Sequence, residues 1–131
     1  FDVNRQGLSD IHLDPALDEQ VTISRLSPWR READSIAARE ARLLRSIGYG
    51  IVNRRLARLA RQADAPFRGA SFSTGDLFEE ARLTSLTIAS ADGEWRKGLL
   101  AATREVNEAL RFGFTRAELD EQLANLRTAY E

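Results

Sequence analysis

The chain has no cysteine, no methionine, one histidine (His12), three prolines and, among its cationic side chains, a single lysine (Lys97). Each scarcity excludes something. Without cysteine there is no disulfide framework, no Cys-x-x-Cys redox pair and no thiolate metal site. A catalytic zinc centre takes three protein ligands and a structural one four, drawn from His, Cys and carboxylate. One imidazole among scattered carboxylates falls short of that. The same histidine is the only imidazole base available, and Ser71, Ser73 and Thr74 stand in no Gly-x-Ser-x-Gly elbow, so a hydrolase triad is not supported. No apolar run approaches the roughly 18 residues of a membrane helix and no signal-peptide pattern is present, which predicts no membrane insertion. There is no repeat of fixed period and no low-complexity tract.

Charge is balanced, with 19 basic and 20 acidic residues in a chain of 131 and a formal net charge of −1. That balance argues against a nucleic-acid surface. A chain of this length is one ordinary domain and buries roughly two-thirds of its unfolded surface. The first residue is Phe1, methionine is absent, and the helical pattern runs to Glu131 without a terminal Gly or Pro. Residues 1–131 are therefore read as a single domain excised from a larger multidomain protein.

Two β-then-α passages make up the domain. Asp10-Ile11-His12-Leu13-Asp14 alternates polar and apolar, as does Glu19 to Leu26, and Ser27-Pro28 marks the way out of the sheet. Asp34 or Ser35 caps a helix running to about Gln62. Phe67–Ser73 and Arg82–Ile88 then read as a hairpin joined around Gly75-Asp76, too long a connection for the tightest two-residue turn. Asp92 is expected to cap a helix from about Gly93 to Phe112. Hairpin strands followed by helices predict an α+β two-layer sandwich, a mainly antiparallel sheet with helices on one face.

The long helix changes phase. Ile36, Leu43, Leu44, Ile47 and Ile51 form one stripe, whereas Val52, Leu56, Leu59, Ala60 and Ala63 form a second, rotated by more than a quarter turn. The expectation is a bend or break near Gly48-Tyr49-Gly50, with Val52, Leu56 and Leu59 buried and Arg54, Arg58 and Arg61 accessible. The arginine cluster Arg54, Arg55, Arg58 and Arg61 reads first as a solvated surface, second as a contact with another domain, and third as a phosphate site.

Other constellations read as structure. Asp10, His12 and Asp14 share one face of an extended segment, which is the solvated face when Ile11 and Leu13 turn inward. Glu79 and Glu80 are adjacent, point apart, and lie beside a hairpin loop.

The most specific local signal is Leu110-Arg111-Phe112-Gly113-Phe114-Thr115-Arg116-Ala117-Glu118-Leu119. Gly113 closes one helix at a left-handed position. Thr115 caps the next and Glu118 reaches back, a capping box, while Phe114 and Leu119 form a hydrophobic staple. This corner, with Asn53-Arg54-Arg55-Leu56-Ala57-Arg58-Leu59-Ala60, the Pro66-Phe67 strand start and the Ile11–Pro15 segment, resembles the insulinase/pitrilysin-type zinc metallopeptidases, an inverzincin family with many bacterial members.

The resemblance spans about Ile11 to Glu131 and is to the second, non-metal-binding domain of the zinc-carrying half. It implies a noncatalytic structural and substrate-chamber domain, inactive alone, within a parent zinc endopeptidase. The family's His-x-x-Glu-His motif is absent here, so the chain itself is expected to hold no catalytic residue, no metal and no cofactor, with zinc carried elsewhere in the parent. The implied partners are other domains of the same polypeptide and a peptide or unfolded protein substrate, with no nucleic acid. The implied location is the periplasm or cell envelope. The alternative is a standalone protein-interaction or processing-subunit domain without protease activity.

Overall fold

The computed structural model describes residues 6–7, 9–10 and 14–130. The expected Asp10–Asp14 strand, and with it the Asp10, His12, Asp14 face, rests on Ile11, His12 and Leu13, which lie outside the described residues. Within them the order is β1 (Gln20–Pro28), α1 (Ile36–Leu59), β2 (Gly69–Leu77), β3 (Ala81–Ala89), α2 (Trp95–Phe112) and α3 (Arg116–Tyr130). The sheet is antiparallel throughout, in the order β1-β3-β2. The architecture is α+β, as the alternation of hairpins and helices predicts.

Strand register explains which face is covered. Val21 and Ile23 stand opposite Ile88 and Leu86, which in turn stand opposite Ala70 and Phe72. These side chains share one face, because directly paired residues point the same way. The helices pack on that face, where Val52, Leu56, Phe67, Leu86, Ile88, Ala102, Val106 and Ala109 form the core. The other face carries hydroxyls: Thr22 bonds Thr87 at 3.4 Å and Ser24 lies 2.9 Å from Ser85. Ser71 and Ser73, opposite Thr87 and Ser85, belong to the same open face.

Three local expectations need correction. The hairpin does not turn at Gly75-Asp76, which are paired with Leu83 and Arg82 inside the ladder. It turns at Phe78 and Glu79, with φ of 52° and 58°, closed by the Glu80 N–H to the Leu77 carbonyl at 3.0 Å. Left-handed backbone at residues with a Cβ costs roughly 1–2 kcal/mol each, so nothing in the residue types announces this turn. Ser27 and Pro28 are the last residues of β1, opposite Arg82 and Ala81, so the chain leaves the sheet where this dipeptide marks it. Pro28 is tolerated because it ends an edge strand.

The second helix starts at Trp95, with Glu94 rather than Asp92 as its N-terminal cap residue and no side-chain bond from Glu94 itself. The capping group is Glu19, just before β1, whose carboxylate accepts from the Gly93 N–H at 2.9 Å and the Trp95 N–H at 2.8 Å. A carboxylate there satisfies orphan donors and complements the helix dipole.

The long helix is uninterrupted from Ile36 to Leu59, with Ser35 as its cap accepting from the Ala38 N–H at 3.2 Å. Its glycines serve a different purpose from a break. A Cβ on Gly50 would lie 2.5 Å from the Gln122 amide nitrogen of α3, and one on Gly48 would lie 3.5 Å from the Phe114 ring. Gly50 thus leaves room for the Gln122 side chain of α3 against α1, while a Cβ at Gly48 would make only ordinary contact with the Phe114 ring. The phase change appears instead as a change of surroundings. Ile47, Ile51, Val52 and Leu56 are buried, whereas Ile36, Leu43 and Leu44 are 78%, 48% and 68% exposed. Leu59 is half-buried.

Candidate functional site

The Gly113 stop and the Thr115–Glu118 capping box between α2 and α3 are built as their residue types require. Gly113 has φ 70° and ψ −143°, a region essentially closed to residues with a Cβ and beyond the left-handed helical well. The Thr115 N–H donates to Glu118 Oε2 at 2.8 Å, and the Glu118 N–H donates to Thr115 Oγ1 at 3.3 Å. The Thr115 hydroxyl adds a third bond to Glu118 Oε2 at 3.0 Å. Leu119 is half-buried on α3, and Phe114 reaches across to α1.

Glu118 has a second role. Arg55 of α1 donates to both of its carboxylate oxygens, from Nε to Oε1 and from Nη2 to Oε2 at 2.8 Å. The same guanidinium reaches Glu105 of α2 at 3.4 Å and the Gly113 carbonyl at 3.2 Å, and lies 5.4 Å from the centre of the Phe114 ring. One arginine thus ties three helices and the corner between two of them. The Arg55 and Glu118 side chains are 17% and 16% exposed. The Arg55 hydrogen bond, helped by the Thr115 amide and hydroxyl against the cost of burial, lowers the Glu118 pKa to about 2. A carboxylate held that low has no use as a general acid or base near neutrality.

Arg55 is the residue that a reading of the arginine cluster as one surface misses. Its signal is positional: Val52, Arg55, Leu56 and Leu59 follow the i, i+3, i+4, i+7 spacing of a single face. Among the others, Arg58 and Arg61 are exposed, but Arg54 is half-buried. Arg54 stands 3.0 Å from Glu121 and donates to the Glu118 carbonyl at 3.3 Å, so it also fastens α3.

Asn53 completes the anchoring of α1. Its Nδ2 donates to the Phe72 carbonyl at 2.8 Å and its Oδ1 accepts from the Phe72 N–H at 2.8 Å, while Nδ2 also reaches the Tyr49 carbonyl at 2.9 Å. The side-chain amide pairs with the outer edge of β2 as a neighbouring strand would, satisfying groups that an edge leaves open.

Between these anchors lies an apolar groove of about 320 Å³, lined chiefly by Gly48, Tyr49, Val52, Phe72, Val106 and Phe114, with Arg45 also in its lining. The Tyr49 and Phe72 rings pack at 4.8 Å between centres. Glu79 and Glu80 are exposed at the hairpin turn. Thr74 lies 3.1 Å from Thr84, within hydrogen-bond distance, on the opposite side of the sheet from Ser71 and Ser73. These side chains are not brought together into a catalytic set. Among the described residues, no group of three His, Cys, Asp or Glu side chains is placed to hold a metal ion. No described helix is long and apolar enough to cross a membrane. Compared with known proteins, the chain matches no family model, no curated protein and no solved structure.

Proposed function

We propose that this domain is a noncatalytic wall of a zinc endopeptidase's substrate chamber, shaping and positioning a metal-bearing domain of the same polypeptide. The single observation that carries the reading is the first three turns of α1. There Ile36, Leu43 and Leu44 stand exposed on a stripe whose continuation, Ile47 and Ile51, is buried. An apolar face that begins inside the core and continues outside it fits a second domain packed alongside. The locked corner supports the same reading: Arg55 and Glu118 commit their charges to holding three helices together, which is structural work. In this proposal the zinc and its chemistry belong to the partner domain, and nucleic acid is not a partner.

The test combines metal content, cleavage and association. The purified chain is expected to bind no stoichiometric zinc at neutral pH and to cleave no peptide. It is expected to co-elute with the metal-motif domain encoded alongside it, and to lose that association when Leu43 and Leu44 are both changed to Asp, with its own fold intact. A chelator-sensitive peptidase activity in the pure chain, retained after His12→Ala, overturns the proposal. So does a parent polypeptide with no zinc motif.

A further inference from the structure

The groove beside Phe114 has an apolar floor and one charged residue in its lining, Arg45. An adjoining cleft of about 460 Å³ shares Arg45, Tyr49 and Phe72 and adds Arg42, Ser46 and Thr74, again with no acidic residue in its lining. The counter-charges nearby are overcommitted. Glu32 is shared by Arg45 at 3.9 Å, Arg42 at 3.7 Å and Arg82 at 3.6 Å. Asp34 serves Arg39 and Arg42, and Asp76 serves Arg82. In this network four arginines share three carboxylates, and Arg45, with the longest of these contacts, is the one that lines the groove.

We infer that the groove captures the C-terminal residue of a peptide, its large apolar side chain on the Val52, Phe72 and Val106 floor and its α-carboxylate on Arg45. The volume lies at the small end of ligand sites, suited to one bulky side chain. A guanidinium fork takes a carboxylate through two parallel hydrogen bonds, and a terminal residue offers that carboxylate close to its own side chain. A free phosphate has no use for the apolar floor, and the chain's net charge of −1 does not favour nucleic acid. The inference rests on the reading of the domain as a chamber wall that meets peptide, and names which part of the peptide it holds.

The probe is a fluorescein-labelled hexapeptide ending in Phe with a free carboxylate, titrated with the full chain by fluorescence anisotropy. The same peptide as a C-terminal amide, or with a Gly added after the Phe, is expected to bind at least about tenfold more weakly, as is the free-acid peptide to Arg45→Gln. Gly48→Leu fills the groove and crowds the Phe114 ring, 3.5 Å from where its Cβ would stand, so it is expected to abolish binding in protein shown by circular dichroism to be folded. Equal binding of acid and amide, parent-like binding by Arg45→Gln, or no anisotropy change up to about 1 mM folded protein overturns the inference. Displacement of the peptide by 3-phenylpropionate at equal concentration would assign the groove to small carboxylates and also overturn it. Loss of association with the metal-motif domain strikes at the chamber-wall proposal and leaves these titrations unchanged, so the two failures are distinguishable.

Discussion

A carboxylate that accepts two guanidinium hydrogen bonds and one backbone N–H keeps its charge far into acid. Glu118, with its pKa lowered to about 2 from an ordinary 4.5, contributes stability that is fully present above about pH 4.5 and is lost as pH falls toward 2. Full linkage would amount to ~3 kcal/mol, and partial contact with solvent reduces that to on the order of 2. Urea unfolding of the parent chain and Glu118→Gln is expected to show that gap at pH 7, narrowing steadily below about pH 4.5 and nearly closed at pH 2. A gap that stays constant across the range would mean that Arg55 and Glu118 are not coupled as their geometry indicates. Glycine gives a second contrast at this scale. A Cβ on Gly98 would meet Ser90 Oγ at 2.9 Å, Ile88 Cγ2 at 3.1 Å and the Pro66 carbonyl at 3.3 Å, all in the packed interior. A Cβ on Gly50 would meet only the movable end of Gln122. Each Gly→Ala change gains up to ~1 kcal/mol of helix propensity. Gly98→Ala is therefore expected to lose about 1–2 kcal/mol net through overpacking, and Gly50→Ala to remain within about 0.5 of neutral. Equal unfolding midpoints for the two variants would refute the close helix–sheet approach at Gly98.

Elements follow local rules where their determinants are local, and depart from them where a distant residue supplies the determinant. The cap at Ser35, the Gly113 stop and the Thr115–Glu118 box lie within a turn of the helix ends that they set, so propensity and spacing suffice to read them. The start of α2 is different. Its cap comes from Glu19, 76 positions away for Trp95, and no window around Asp92 contains it. The hairpin turn at Phe78-Glu79 uses positive φ without a glycine or asparagine, so residue type points to Gly75-Asp76 instead. The rotated stripe on α1 was legible, but its cause was not. Periodicity registers a change of neighbours along a helix and cannot tell a bend from a straight helix whose first turns leave the core. The anchoring site was partly legible for the same reason. Glu118 declared itself through the capping box, whereas its partner Arg55 sits among three other arginines and is marked only by its place on the Val52–Leu56–Leu59 face. Asn53 gives no local sign that it will pair with the edge of β2, a contact made across the fold.

The whole molecule is a two-layer structure with its stability concentrated at one end. The core joins the second half of α1, the middle of α2 and the second half of β3, and Leu56, Ile88 and Ala102 are fully buried there. The hydroxyl face of the sheet adds little apolar burial, and Ile23 and Leu26 of β1 remain 49% and 43% exposed. The first three turns of α1 bury no residue before Ile47 and depend on Ser35, on helix propensity and on surface ion pairs to Glu32 and Asp34. Such exposed pairs are screened by solvent and contribute little, and isolated helices of that length are marginal in water. Local opening should therefore be graded along a single helix. In native-state hydrogen exchange, amides of β3, of α1 from Ile51 onward and of α2 from Ala102 to Ala109 are expected to exchange only through global unfolding. Amides from Arg39 to Ser46 are expected to exchange at least about 100-fold faster through fraying of the overhanging turns. Docking of a partner on Ile36, Leu43 and Leu44 should then slow that segment selectively, since binding stabilises the closed form by mass action. Uniform protection along α1 in the isolated chain would mean that its first turns are supported from within. The exposed stripe would then lose its standing as a face waiting for a neighbour.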